Sequence, residues 1–516
     1  MNEQWRRRAI AAGVCAAATL VSGGTRSIAT SATVASCESL AALTIPDVQV
    51  TAATALPSGP LSVGRGGMNV PAMCRVQAVA TPTPDSHIAI EIWMPPAGAW
   101  NGKLLGTYNG GFSGAIGYAA MVAAVNRGYA AVGTDTGHTG DQTDFGVGHP
   151  EKITDWSHRA IHVMTDVAKV VVRSHQGRLP DRSYFSGCST GGQQALSEAQ
   201  RYPADYDGIV AGDPGNNRLH LIYGFLWSWL VTHDAAGQTI LPTSKLPAIA
   251  AASMAACDAA DGIRDGIIDD PRACRFDPAS MACKGDDGPG CLTPKQIDAV
   301  KKVYDGPKNP RTGAQIFPGW ARGSEQGWGS YITNPREPVR LGLLKDWAFH
   351  DPNWDMRSFD WDRDVAFVDA ALPSVSAMAT NLSAFKARGG KLVMYTGLAD
   401  PVVPPQDVIN YYERVTAAMG GRAQTAAFFR FFPTPGMAHC NGGVGPNTFD
   451  ALGTLEKWVE QGEAPRLIVA THTAGQQIDR SRPLCAYPQK ARYKGTGSTD
   501  TAASFACADD GGGPRR

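Results

Sequence analysis

Residues 182–201 read RSYFS-GCSTGG-QQALSEAQR: a short apolar run, a glycine-rich turn and a helical run in immediate succession. At its centre Gly187-Cys188-Ser189-Thr190-Gly191-Gly192 matches Gly-x-Ser-x-Gly in the context that gives the pattern meaning, strand then sharp turn then helix. A tight turn between closely packed strand and helix needs glycines, and it lifts the central hydroxyl above a sheet. As a plain glycine-rich loop the same residues would carry no chemistry; the flanks favour a nucleophile at Ser189. This stretch sets the expected fold: α/β, of the α/β-hydrolase class.

A serine hydroxyl attacks poorly until a base takes its proton, so a histidine and an orienting acid should follow in the order Ser, Asp/Glu, His. The apolar run Lys391–Thr396 leads into Gly-Leu-Ala-Asp400-Pro, and Ala427–Phe432 leads into Pro-Thr-Pro-Gly-Met-Ala-His439-Cys440. Asp400 and His439 therefore stand in loops at the ends of successive strands, the places from which side chains converge on an elbow. Asp400 alone could be a turn aspartate and His439 alone a loop histidine. Their order and placement make a triad the better reading. Cys188 precedes Ser189 and Cys440 follows His439, so contact between hydroxyl and imidazole would bring the two cysteines within disulfide reach, roughly 4.4–6.8 Å between Cα atoms. A Cys188–Cys440 bond is expected.

Further strands are expected over Ile88–Met94, Lys103–Tyr108, Tyr129–Thr134 and Asp207–Ala211, with helices over Trp156–His175 and Gln193–Arg201. The oxyanion formed during acyl transfer needs two donors. One should be the amide of Thr190. The other should come from the loop Asn109-Gly110-Gly111-Phe112-Ser113-Gly114, with Gly111 first and Ser113 or Gly114 as alternatives. Between Gly215 and Ser383 the texture changes to Asp/Gly clusters, cysteines and tryptophans, and strand signals fade. This defines an expected lid over residues 216–382, inserted between catalytic segments 33–215 and 383–516.

In that insertion Cys257-Asp258-Ala-Ala-Asp261-Gly-Ile263-Arg-Asp265-Gly-Ile267-Ile-Asp269 spaces carboxylates by glycines. An all-oxygen set of this kind suits structural Ca²⁺, with Asp258, Asp261 and Asp265 as carboxylate ligands and the carbonyls of Ile263 and Ile267 beside them. The spacing is not that of an EF-hand, and a solvated acidic turn is the plain alternative.

The 516 residues are 43% hydrophobic and 18% charged, with zero formal net charge, and so lack the basic face a nucleic-acid partner would require. Met1–Arg8 is basic, Ala9–Val21 is an apolar stretch too short to span a bilayer, and small residues follow; residues 1–32 read as a signal peptide. Its removal would leave 43 basic and 46 acidic side chains. Of the 11 cysteines, the ten beyond Cys15 suit five disulfides in an oxidising compartment. Secreted or periplasmic location follows, with no stable membrane association after cleavage.

The Gly-Cys-Ser189-Thr-Gly-Gly elbow, the His439-Cys440 pair, the Cys257–Asp269 loop and Arg482-Pro-Leu-Cys485-Ala-Tyr-Pro together resemble the tannase/feruloyl esterase family, from about Cys37 to Cys507. That family includes mono(2-hydroxyethyl) terephthalate hydrolase. The resemblance implies the lidded α/β-hydrolase fold, calcium at the residues above, and hydrolysis of small aromatic carboxylate esters. It also implies the pairs Cys37–Cys74, Cys188–Cys440, Cys257–Cys274, Cys283–Cys291 and Cys485–Cys507. It weakens in the lid, where Arg340 is the candidate for a substrate carboxylate and Leu343–Leu344 stand where polar contacts would be. Trp320, Trp328 and Tyr331 could stack on a phenolic ring, Trp328 being the one selected, or form the lid's own core. The expected reaction is acyl transfer through Ser189, preferring feruloyl or other hydroxycinnamoyl esters, then galloyl esters, then terephthalate monoesters. Two alternatives stand: a serine peptidase on this fold, which amide substrates would expose, and an inactive phenolic- or sugar-binding relative, which would not react with a fluorophosphonate.

Overall fold

The computed structural model describes residues 35–63, 66–334 and 336–509. The expected signal peptide, residues 1–32, lies outside them. Nine strands form the main sheet: β1 (Val48–Leu56), β2 (Met73–Ala80), β3 (Ile88–Met94), β4 (Lys103–Gly106), β5 (Ala130–Thr134), β6 (Arg182–Cys188), β7 (Gly208–Gly212), β8 (Lys391–Gly397) and β9 (Phe429–Thr434). Their spatial order is β1-β2-β3-β5-β4-β6-β7-β8-β9. The first three pair antiparallel and β3 pairs antiparallel with β5; from β5 to β9 every pairing is parallel.

The interior strands are mostly apolar because helices cover both faces. β5 (AAVGT) and β7 (GIVAG) are buried throughout. Alternate residues serve two cores. Leu104, Phe185, Ile209, Leu392 and Phe431 pack with Met164, Val167 and Val171 of one helix and with Ala195 and Leu196 of another. Leu105, Tyr184, Val210, Val393 and Phe432 face the opposite way, onto Met121, Val125, Leu455 and Trp458. The helices that matter for the site are α1 (Ala160–Gln176), α2 (Thr190–Arg201) and α3 (Arg218–Thr232).

The structure corrects several expected boundaries. The helix expected at Trp156 begins with a wider turn over Asp155–Arg159, regular only from Ala160. The second helix starts at Thr190 rather than Gln193, so the turn holding Ser189 is tighter than its glycines suggested. β9 starts two residues later than expected, after a short helical stretch over Arg422–Ala426.

Among the described residues no named strand lies between Gly212 and Lys391. The two ends of that long segment meet: Ala377 N–H donates to Asn216 O at 2.8 Å, and Asn216 Nδ2 donates to Ala377 O at 3.1 Å. Its helices enclose an aromatic cluster of Tyr304, Trp320 and Trp328. Trp347 reaches out of the segment, donates from its indole N–H to Thr143 O at 2.6 Å, and sets its ring edge against Phe112 and Trp156. All five expected disulfides are present. No helix among the described residues is long and apolar enough to cross a membrane.

Candidate active site

Ser189 stands between β6 and α2 with φ 65° and ψ −118°, a backbone state that a side chain adopts only under constraint and that typically costs about 1–3 kcal/mol. The surroundings impose it. Ser189 N–H donates to Gly212 O at 3.0 Å, and Ser189 O accepts from Gln193 N–H and Gly215 N–H, each at 3.1 Å. Glycine is needed beside it because a Cβ at Gly191 would collide with the Tyr108 side chain and one at Gly192 with Gly212 O.

His439, in the loop after β9, places Nε2 2.8 Å from Ser189 Oγ and Nδ1 2.7 Å from Asp400 Oδ2. Asp400, in the loop after β8, is fully buried, and its Oδ1 accepts from the amides of Val402 (2.7 Å) and Val403 (3.0 Å). Those two bonds fix the carboxylate so that its second oxygen faces the imidazole. Burial opposes the charged imidazole, but the charge and hydrogen bond of Asp400 outweigh it, and the pKa of His439 is raised. The Cys188–Cys440 bond, with 5.9 Å between Cα atoms, lies beside the pair and joins residues 252 apart in sequence. Cys440 also has a positive φ of 65°.

A second buried acid, Asp213, was not foreseen. Its Oδ1 accepts from Gly397 N–H (2.7 Å) and Thr396 Oγ1 (3.1 Å), and its Oδ2 from Cys440 N–H (3.0 Å). It thereby ties β7 and β8 to the histidine loop. Burial and the charge of Asp400 push its carboxyl well above the usual range. Its position directly after β7 was the available signal.

Thr190 and Gly111 lie together: Thr190 Oγ1 donates to Gly111 O at 2.9 Å. Gly111 has φ 59°, which glycine accepts freely. Ser113 N–H donates to Gly110 O (2.9 Å) and Gly114 N–H to Gly140 O (2.7 Å). The loop is braced by Asn109 Nδ2, donating to Ala115 O and Thr134 O, and by Asp141 Oδ1, accepting from Phe112 N–H.

Arg340 reaches this loop. A Cβ at Gly111 would stand 2.8 Å from its Nη2, and its guanidinium lies over the Phe112 ring at 5.7 Å. It also lines a polar cavity of about 610 Å³ with Phe112, Asp141, Thr143 and Glu337. Trp328 is different. Its ring is fully buried, its N–H donates to Ser324 Oγ at 2.9 Å, and it packs on Tyr304 and Trp320. The expected substrate contact at Trp328 is therefore corrected: the residue is interior to the insertion. Tyr331 is half-buried, stacked on Phe225, and feels the charges of Arg340 and Asp400.

The Asp258–Asp269 loop wraps around its own carboxylates. Asp258 Oδ1 accepts from the amides of Asp265 and Gly266, Asp261 Oδ1 from Ile263 and Asp265 Oδ1 from Ile267. Arg482 pairs with Asp265 Oδ2 at 2.7 Å, both side chains buried. The carboxyl of Asp261 is raised by burial and by Asp265, and that of Asp269 is pushed up to about 6 by burial and by Asp261. The loop offers oxygen donors only, the kind a hard dication takes, with Arg482 on Asp265 and the charges of Lys490 and Arg492 acting on Asp269. The loop backs onto the histidine loop, where a Cβ at Gly436 would stand 3.2 Å from Ile267 Cγ2.

The strand order, the parallel sheet and the serine-bearing turn define an α/β-hydrolase. The profile of the family described as "Tannase and feruloyl esterase" matches residues 74–508. An uncharacterized esterase of Xanthomonas campestris pv. campestris is 38% identical, over 93% of this chain and 92% of its own. Mono(2-hydroxyethyl) terephthalate hydrolase of Piscinibacter sakaiensis is 35% identical, over 82% and 81%. The crystal structure of feruloyl esterase B from Aspergillus oryzae superimposes with a TM-score of 0.86 at 29% identity, covering 92% of this chain and 99% of that one. The chain belongs to the tannase and feruloyl esterase family, and it is a carboxylic ester hydrolase.

Proposed function

We propose that the protein hydrolyses esters of aromatic carboxylic acids by two-step acyl transfer, with Ser189 as nucleophile, His439 as base and Asp400 as its orienting acid. The observation that carries this reading is the continuous chain Asp400 Oδ2–His439 Nδ1 and His439 Nε2–Ser189 Oγ, at 2.7 and 2.8 Å. His439 removes the hydroxyl proton as Oγ attacks the ester carbonyl, and Asp400 stabilises the imidazolium that forms. The oxyanion receives the amides of Thr190 and Gly111. His439 then protonates the departing alcohol, and a water deprotonated by His439 releases the acid from Ser189.

Feruloyl and related hydroxycinnamoyl esters are the first substrates assigned, followed by galloyl esters and terephthalate monoesters. The named relatives support this class, and Arg340 beside the Gly111 loop would meet an anionic or phenolic acyl group. The segment 216–382 acts as the lid. Asp258, Asp261 and Asp265 with the carbonyls of Ile263 and Ile267 would hold Ca²⁺, which would clamp the loop behind His439 and take no part in acyl transfer. Export from the cytoplasm is supported by five disulfides and by the apolar leader pattern; recovery of the chain from culture medium with residue 1 still present would contradict leader cleavage.

Ser189→Ala should lower kcat on methyl ferulate by roughly five to six orders of magnitude without loss of fold. Retained turnover would overturn the assignment. A rate panel of methyl ferulate, methyl gallate, the terephthalate monoester and a matched amide then ranks the substrates.

A further inference from the structure

We propose that Arg218 is a positioning residue for the oxyanion site: acting through the hydroxyl of Thr190, it locks the Thr190 and Gly111 segments into one rigid pair. This inference rests on the serine-esterase reading above and deepens it.

Arg218 opens α3 and is 1% exposed, so it does not meet substrate directly. Its Nη2 donates to Thr190 Oγ1 at 2.6 Å and its Nε to Gln193 Oε1 at 2.8 Å, both in the first turn of α2. Its guanidinium lies against the rings of Phe112 and Trp156, at 5.9 and 5.6 Å. One side chain therefore grips the elbow helix and the residue after Gly111 at once. The chemistry of the relay is directional. A guanidinium has donors only, so the Thr190 hydroxyl must accept from it and send its own proton elsewhere. The acceptor is Gly111 O, 2.9 Å away. Without Arg218 the hydroxyl is free to turn away from Gly111 O, and only the Asn109 and Asp141 contacts at the flanks then hold the loop.

The energetic setting separates this role from ordinary packing. Among the described residues no carboxylate forms an ion pair with Arg218. Burial, aided by the like charge of Arg340, pulls its pKa down to about 9. A buried cation without an ionic partner lowers stability, so an apolar side chain of similar length should be tolerated as well or better by the fold.

The test is Arg218→Met, Thr190→Val and the double variant, assayed on methyl ferulate with thermal unfolding measured on each. Thr190→Val keeps the backbone amide and removes only the hydroxyl. Each single change should lower kcat about 10- to 100-fold, with KM within about threefold, because the donors act on the transition state. The double variant should be no slower than the slower single, since both break one relay. Arg218→Met should melt at or above the parent temperature, whereas a structural arginine would melt lower. Additive losses, an unchanged kcat in either single, or a fall in melting temperature that parallels the fall in kcat would overturn the proposal. If Arg218→Met fails to fold, the proposal is refuted on stability, and an unchanged kcat in Thr190→Val refutes the relay independently. Ser189→Ala run in parallel keeps the two readings apart: its activity tests the esterase assignment, and only the Arg218 and Thr190 variants test the relay.

Discussion

Opening the Cys188–Cys440 bond by Cys188→Ala with Cys440→Ala should cost both stability and catalysis, and opening Cys283–Cys291 in the same way should cost much less. The two bonds close segments of 252 and 8 residues. In the chain-entropy treatment, stabilisation grows as 1.5R ln n, which gives about 5.5 kcal/mol for the long segment and about 2.5 kcal/mol for the short one at 25 °C. With about 2.1 cal/mol/K of unfolding entropy per residue, a chain of this size loses about 1 °C per kcal/mol. Calorimetry should therefore show a fall of about 5 °C for the first variant and about 2–3 °C for the second. The catalytic consequence should be more selective. Ser189 and Cys440 both hold positive φ angles, and the Cys188–Cys440 bond, between the neighbours of Ser189 and His439, holds hydroxyl and imidazole together. Displacement of reacting groups by about 1 Å can cost about 100-fold. At 20 °C, kcat should fall at least about tenfold in the 188/440 variant and stay at the parent level in the 283/291 variant. Equal losses of melting temperature, or full kcat without the long-range bond, would refute the reasoning.

Two further outcomes are expected. His439 must be neutral to act as base, and its raised pKa places the acid limb of kcat/KM above the ordinary histidine value of about 6.5. Asp400→Asn removes the charge that raises it and should move the limb to lower pH while cutting kcat by about 10⁴; Arg340→Gln removes a charge that lowers it and should move the limb upward, so profiles shifting the same way would contradict the assignment. Chelation by EGTA should lower the melting temperature by about 3 °C, as expected for loss of a dication present at about 100 times its Kd; Ca²⁺ should restore it, and Asp261→Asn should abolish the response. A melting temperature indifferent to both would remove calcium from the account.

What could be read in the sequence was whatever is local. The elbow announces itself because strand, turn and helix adjoin within 20 residues, and Asp400 and His439 follow because each ends a compact apolar run. Their cysteine neighbours then made the long-range disulfide legible. Arg218 left no such trace: in RLHLIYGF nothing distinguishes an arginine directed into the protein from one in solvent, and its partners lie 28 and 25 residues back at Thr190 and Gln193. Trp328 shows the same limit from the other side. A tryptophan in a loop-rich segment can cover a ligand or fill a core, and only packing on Tyr304 and Trp320 decides. The edge strand β1 also escaped notice, because the Ala/Thr-rich run VQVTAATAL, half-exposed along its length, lacks a strong apolar alternation.

The side-by-side meeting of Asn216 and Ala377 has an evolutionary reading. A segment whose entrance and exit are neighbours behaves as a cassette: it can lengthen, shorten or be exchanged while the sheet beneath continues from one stump to the other. The contacts that must survive such an exchange include the Trp347 indole on Thr143, the Arg340 guanidinium over Phe112 and the Arg218 bonds to Thr190 and Gln193. Recombination at these two points would carry Ser189, Asp400 and His439 over unchanged, and the incoming segment would have to bring its own counterpart of Arg218.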